Sequence, residues 1–496
     1  MKQLFTLIIA TLITTVAALA QVQFSDMQNL SNEYGPSDEH DIANIGDHYF
    51  LVWNQWGDIM FRKSENGGEN WGQKLTLYTG FDYGANYPVI SATGDHVYIA
   101  YYRNTTGNSE IFLVKSDDGG QSFGNEIQVS NSVNLAQVPQ IAASGDTVLI
   151  AYEDRDENWD YQVMLTYSTD AGESWSEPQN LSNTTGNARW CNLAREGDRL
   201  VVVWNEQTGA TYNDLDLFYT ISEDFGESWT TPENLTNNMA YNARLNTRIV
   251  ENSIYVIVSA KVDGLQSDIM LYRSDDFGQS WEEPVNLSDN SGSSSRPDVW
   301  ITPNFEGNNR IYAVWTDETY NANERAYLKY SIDNGFTWSE LQEFSNTTED
   351  AAWAQIVGEA TGPVDDLYMV WYRPDDGTFN YEVWGRGAES QVSSEVNLSG
   401  VITNEAEEPI ENATVALGGY VVFSQEDGSY SLDVPAGTYD FSVSASGYQN
   451  YTQPGLELNE NIVLDVTLTA LVPGNYPPHN LKVEQQGVSG AFASWE

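Results

Sequence analysis

Cysteine is almost missing from this 496-residue chain, where Cys191 stands alone. A single cysteine allows no internal disulfide framework, so stability must come from sheet packing. No histidine stands near Cys191 in sequence, and its expected role is that of a small buried hydrophobe, not a thiol nucleophile. Basic residues are also scarce. Lys and Arg total 21 against 72 Asp and Glu, a net charge of -51. That balance argues against nucleic acid and anionic membranes as partners. The acids are spread along the chain, as on a solvated surface. The four histidines, His40, His48, His96 and His479, show no paired ligand spacing, which leaves metal sites and cofactors without a motif. Asp38-Glu39-His40-Asp41 is the one compact cluster, where calcium or lyase chemistry is conceivable. Beyond residue 20 no apolar run is long enough to span a bilayer. Neither a phosphate-binding glycine loop nor a serine-hydrolase elbow is present.

What the chain does have is repetition. After Met1-Lys2-Gln3, an apolar run to Leu19 ends in Ala18-Leu19-Ala20, which predicts a secretory signal peptide over 1–20 and a secreted or cell-surface protein. An octet of form S-x-[DN]-x-G-x-x-[WF] then recurs from Ser64, Ser116, Ser168, Ser222, Ser274 and Ser331, at separations of 52 to 57 residues. Such a period signals a repeat architecture. Each octet follows a β-rich run such as Ile111–Val114 and precedes another extended stretch, so it reads as a hairpin turn. Asn66, Asp118, Asp170, Asp224, Asp276 and Asp333 can accept backbone N–H groups there, and the glycine supplies positive φ. The octets therefore concern folding, and chemistry must lie elsewhere in each repeat.

These octets resemble the Asp boxes of the bacterial neuraminidase repeat, found in sialidases and other β-propellers. The resemblance implies an all-β fold over residues 21–391. Each repeat carries four strands, and first-and-second strand pairs number seven, from Ile42–Trp53 to Gln355–Trp371. The seventh has no box and no evident fourth strand. Ser25–Ser31 matches the fourth strand Ser176–Ser182, so an N-terminal strand is expected to close a seven-bladed ring and remove a sheet edge. Six blades, as in true sialidases, is the alternative. Asn29, Asn180 and Asn286 begin Asn-Leu-Ser sequons at this same position, which the repeat itself explains.

Composition shifts near residue 392. Short alternating strands with glycine turns over 396–470 predict a β-sandwich. Segments such as Pro435-Ala436-Gly437-Thr438-Tyr439 resemble the carboxypeptidase regulatory-like domain, which implies a stalk or accessory module. Residues 474–496 look like the start of a fibronectin type III domain.

In a propeller the boxes turn on one face, and the loops entering first strands share the other with the second-to-third-strand loops. The sialidase resemblance implies three arginines there, gripping a carboxylate, with a Tyr–Glu nucleophile pair and an Asp acid/base. A guanidinium fork suits a carboxylate. Aligned on the first strands, the motif arginine falls at Asp38, Asn86, Gln137, Arg189, Leu245, Ser295 and Ala352, so only Arg189 is in register. Arg244 and Arg296 are one residue away, with Arg248 as a rival to Arg244. Asp156, with Asp154 as rival, is the candidate acid/base within Glu153–Asp160. Glu206 could pair with a tyrosine, and Tyr241 and Tyr87 enter first strands nearby. No residue matches the family's nucleophilic tyrosine motif, whose place is near Trp353. Sixteen Trp and 29 Tyr suit a carbohydrate binder. The expected partners are extracellular glycans or glycoproteins. Binding without catalysis is one reading, and a sialidase-like glycoside hydrolase or a polysaccharide lyase is the other.

Overall fold

The structure is a computed structural model. It describes residues 22–471, except 33–36, 81–83, 106, 211–213, 237–239, 262–265, 291, 304–307, 319–323, 347–349, 361–363, 375–380, 392–394, 419, 436 and 459–460, together with the backbone of 482–485 and 491–494. The expected signal peptide lies outside the described residues. So does the expected fibronectin type III start, apart from Lys482–Gln485 pairing antiparallel with Ala491–Ser494.

The described chain is all-β and divides into two units, Gln21–Gln391 and the remainder. In the first unit the strands form seven antiparallel sheets. Their inner strands are Ser37–Ile45, Ala85–Thr93, Ala136–Ser144, Ala188–Glu196, Ala240–Val250, Ser294–Thr302 and Ala352–Ala360. Each touches the next, and the last touches the first, so the arrangement is cyclic. The second strands are apolar on both faces because each sheet is sandwiched between neighbours. His48–Gln55 is buried at every residue but His48, as expected of strands covered on both sides. Trp53, Trp204, Trp315 and Trp371 recur as the largest buried side chains of these strands.

The last sheet takes its outer strand from the other end of the chain. Val22–Phe24 and Gln28–Asn29 both pair with Tyr381–Gln391. The side chains repeat what other sheets do internally. Ser31 Oγ accepts the Val383 N–H at 3.0 Å, as Ser182 accepts Val163 and Ser288 accepts Ile269. Asn29 donates to Glu382, as Asn286 donates to Asp268. The Asn-Leu-Ser segments therefore tie a fourth strand to a buried or part-buried polar side chain on the third.

The boxes behave as turns. In the third sheet Asp170 Oδ1 accepts Ser168 Oγ and the Ser174 N–H, and Ser168 Oγ accepts the Gly172 N–H at 2.8 Å. Ser174, through its side chain and then its N–H, and Ser168 hold the Asp170 carboxyl down at about 2. Gly172 stands at φ 84°, with Leu113 Cδ2 2.8 Å from where a Cβ would sit, so no side chain fits.

The second unit places two sheets, one built on Glu395–Asn404 and Ser429–Pro435, the other on Thr414–Leu417 and Gly437–Ser444. They enclose a core that includes Leu398, Val415, Tyr430, Phe441 and Val443.

Candidate functional site at the mouth of the ring

The inner strands surround a cavity of about 360 Å³. At one end of each strand the ladder carries a bulge, with two residues facing one on the partner. The first bulged residue takes positive φ at Glu39, Tyr87, Val138, Trp190, Arg296 and Trp353. For side chains this large the conformation is unusual and costs on the order of 1–3 kcal/mol each. Of these, Glu39, Tyr87, Arg296 and Trp353 line the cavity. Bulges that re-aim side chains are common beside sites.

The fifth sheet corrects the sequence alignment. Counted back from the hairpin, Asn246 stands four residues before Val250, as Asn192 stands four before Glu196 and Asp298 four before Thr302. The hydrogen bonds agree: Asn192 Oδ1 accepts the Thr247 N–H, as Asp298 Oδ2 accepts Ile356 and Asp41 Oδ2 accepts Ile90. Position 243, not Leu245, therefore matches Arg189, and Arg244 shares the register of Arg296. The second strand misleads the eye because Val258 holds the place that Trp204 holds in the fourth sheet.

Arg244 and Arg296 share one indole, whereas Arg189 has a different partner. Arg244 and Arg296 both lie over the Trp353 indole, with guanidinium carbons 4.8 and 4.9 Å from its centroid. Arg244 crosses the channel and donates to the Tyr87 hydroxyl at 2.7 Å, over a ring that also meets Trp353 at 6.3 Å. Arg296 lies 3.5 Å from the Tyr372 hydroxyl and 4.0 Å from Glu324. Burial raises the Glu324 carboxyl, opposed by Arg296. Arg189 turns away to the fully buried Glu153 at 3.2 Å, whose other oxygen accepts the Trp190 N–H. Arg248 lies deeper and joins Asn246 and Asp298. It belongs to a polar belt in which Asp41 accepts Ile90 and Gln355. Burial first, then Asp298, pushes the Asp41 carboxyl up to about 7.

The candidate acids are engaged elsewhere. Asp156 Oδ1 accepts the N–H groups of Asn158 and Asp160, so it builds its own turn. Glu206 accepts the Trp204 indole N–H at 3.0 Å, as Asp317 accepts Trp315 at 3.4 Å. Asp154 accepts Ser132, and its carboxyl is pushed to about 6 by burial and then Glu110. Tyr241 lies on Ala240–Val250, with its side chain outside the described residues, as is that of Asp38. His40 is buried, which lowers its ring to about 4, and Glu39 accepts the Tyr87 N–H at 2.7 Å. Glu39 and Asp41 thus serve to hold the neighbouring inner strand. Among the described residues no group of three or more His, Cys, Asp or Glu is placed to hold a metal. Sequence reasoning missed Trp353, Tyr372 and Glu324 as one constellation with Arg296. The shared two-residue offset from the belt positions was the available signal.

Residues 58–312 match the BNR repeat-like domain, and residues 397–470 the carboxypeptidase regulatory-like domain. A sialidase of Paraclostridium sordellii is 26% identical over 236 residues, 40% of this chain and 54% of that protein. The chain thus spans about half the length of the relative it matches. Among solved structures, an ulvan lyase bound to a GlcA–Rha3S saccharide superposes with a TM-score of 0.51 at 10% identity, covering 74% of this chain and 95% of that one. An α-L-arabinofuranosidase of Fusarium graminearum gives 0.45 at 14% identity, over 74% and 97%. At these identities the structural likeness concerns fold alone.

Proposed function

This chain belongs to the BNR repeat-like domain family, and from that premise we propose that it is a secreted or cell-surface protein that binds extracellular glycans at the channel mouth. The observation that carries the reading is that Arg244 and Arg296 both lie over one indole. Two guanidinium groups gathered on one indole, with the rings of Tyr87 and Tyr372 beside it, can receive the carboxylate or sulfate of a sugar. The ligand is therefore an acidic glycan, the class suggested by the sialidase relative. The seven sheets are read as seven blades of one ring, with the 396–470 sandwich as an accessory module and residues 474–496 as the start of a fibronectin type III domain.

Binding without turnover is favoured over a sialidase-like hydrolase or a lyase because Asp156 and Glu206 serve the turn and Trp204. A glycan array combined with a fluorogenic sialoside assay tests this. The expected result is binding of acidic glycans, no turnover, and loss of binding in Arg244→Ala. Turnover abolished by Arg244→Ala or Arg296→Ala would reverse the reading in favour of an enzyme.

A further inference from the structure

A run of aromatic and arginine side chains leaves the mouth toward the rim of the third sheet, its two parts meeting where Tyr102 feels the charge of Glu153 and Tyr161. Tyr87 stacks on Tyr102 at 5.9 Å and 18°. On the adjoining sheets the Arg189 guanidinium lies 4.1 Å over Tyr161 and 4.9 Å from Trp190. Arg155 covers Tyr161 at 4.2 Å, donates to its hydroxyl at 2.8 Å, and meets Trp159 at 5.5 Å. Trp159 ends the run, and 56% of it is exposed. Its loop lies at the mouth end, because Ala136 pairs with Asp154 and the Arg155 N–H bonds Leu135.

Two further facts separate Trp159 from an incidental surface apolar residue. Its backbone stands at φ 69°, a conformation that a bulky residue rarely adopts. Its loop is also rigid: the Trp159 N–H bonds Asp156 O, the Asp156 N–H bonds Asp160 O, and Asp156 Oδ1 holds two more N–H groups. The residue proposed from sequence as an acid is thus the clasp of the turn that presents this indole. A pre-ordered exposed aromatic loses little entropy on binding. Arg189 is paired with Glu153 and Arg296 faces Glu324, whereas Arg155 and Arg244 are held by tyrosine hydroxyls and are the charges that favour an anionic occupant.

We infer that this run is an extended subsite for an acidic polysaccharide, with the chain end or an internal sugar at Trp353 and a distal sugar stacked on Trp159. The inference rests on the glycan-binding reading of the mouth and adds that the ligand is a polymer. Carboxylated and sulfated sugars share the relevant chemistry, so both are tested.

The experiment measures affinity of the whole protein for size-graded oligogalacturonates and carrageenan oligosaccharides by calorimetry, with maltooligosaccharides as the neutral control. One acidic series is expected to gain about three- to tenfold in affinity from disaccharide to octasaccharide, the scale of one aromatic contact. Trp159→Ala should remove the gain and leave disaccharide affinity unchanged, while Trp159→Phe keeps it. Trp56, another exposed rim tryptophan at φ 57°, supplies the control, and Trp56→Ala should leave the gain intact. A gain that survives Trp159→Ala, or that Trp56→Ala removes equally, overturns the inference. So does disaccharide binding with no gain, which leaves the mouth reading standing. No acidic binding at any length overturns both.

Discussion

Truncating Leu30 to alanine tests whether the N-terminal strand is an integral part of the ring. Leu30 is 1% exposed and packs among Ile42, Leu51 and Trp53 of the first sheet and Val370 and Val383 of the last. The fit is tight. A Cβ at Gly385 would stand 2.8 Å from Leu30 Cδ1 and 2.8 Å from Tyr368 Cε1. Tyr368 is pinned by the Trp71 indole N–H at 3.0 Å, so the pocket has little freedom to collapse. Leu→Ala in a core costs about 2–5 kcal/mol, with the larger values where relaxation is blocked. The expected loss is about 3–4 kcal/mol, measured by urea unfolding with tryptophan fluorescence. Leu287, also 1% exposed, holds the equivalent place in the fifth sheet and is the internal reference. Leu30→Ala should match Leu287→Ala. A cost below about 1 kcal/mol at Leu30 beside about 3 at Leu287 would refute closure of the ring by the N-terminal strand.

Other expectations follow from the same contacts. Gly385→Ala should destabilise by about 1–3 kcal/mol through overpacking against Leu30 and Tyr368, read by the same unfolding curves. Ser168→Ala leaves the buried Gly172 N–H without its acceptor and should cost about 1–3 kcal/mol. Asp170 is held at about 2, below its unfolded range, so its stabilisation is present above about pH 4 and lost as pH falls through 2. The stability gap between the wild type and Asp170→Asn should accordingly shrink between pH 5 and pH 2 in parallel unfolding series, and a gap independent of pH would contradict the box hydrogen bonds. The Cys191 thiol is 4% exposed and pushed well above its ordinary range by burial, then Glu153. It should resist a thiol reagent at pH 8 until denaturant is added, as followed by mass spectrometry.

Much of the fold was legible in the chain, and the reasons are local. An Asp box needs Ser, Asp, Gly and an aromatic at fixed offsets, because the hydrogen bonds close within eight residues, as from Ser168 to Trp175. The outer strand at Gln28–Asn29 was visible because its Asn-Leu-Ser repeats the pattern of the fourth strands at Asn180 and Asn286. The site was less legible. Arg189 matched the expected register yet is drawn to Glu153, a partner thirty-six residues earlier. Asp156 and Glu206 have the right residue type and loop, but their acceptor oxygens are taken by nearby N–H donors.

Sequence by itself determined the repeat, its turns and the all-β class, since those depend on short-range chemistry repeated at a near-constant period. Tertiary structure alone decided which side chains meet at the centre. The bulge shifts the inward residue by one position, and the fifth inner strand needed its hairpin and its neighbour's Asn192 to fix the count. Closing the ring then brings Tyr87, Arg244, Arg296 and Trp353 from four different sheets within one sugar's reach. No sequence spacing encodes that meeting, because it is set by the cyclic order of the sheets and by backbone left in a conformation that only the assembled ring sustains.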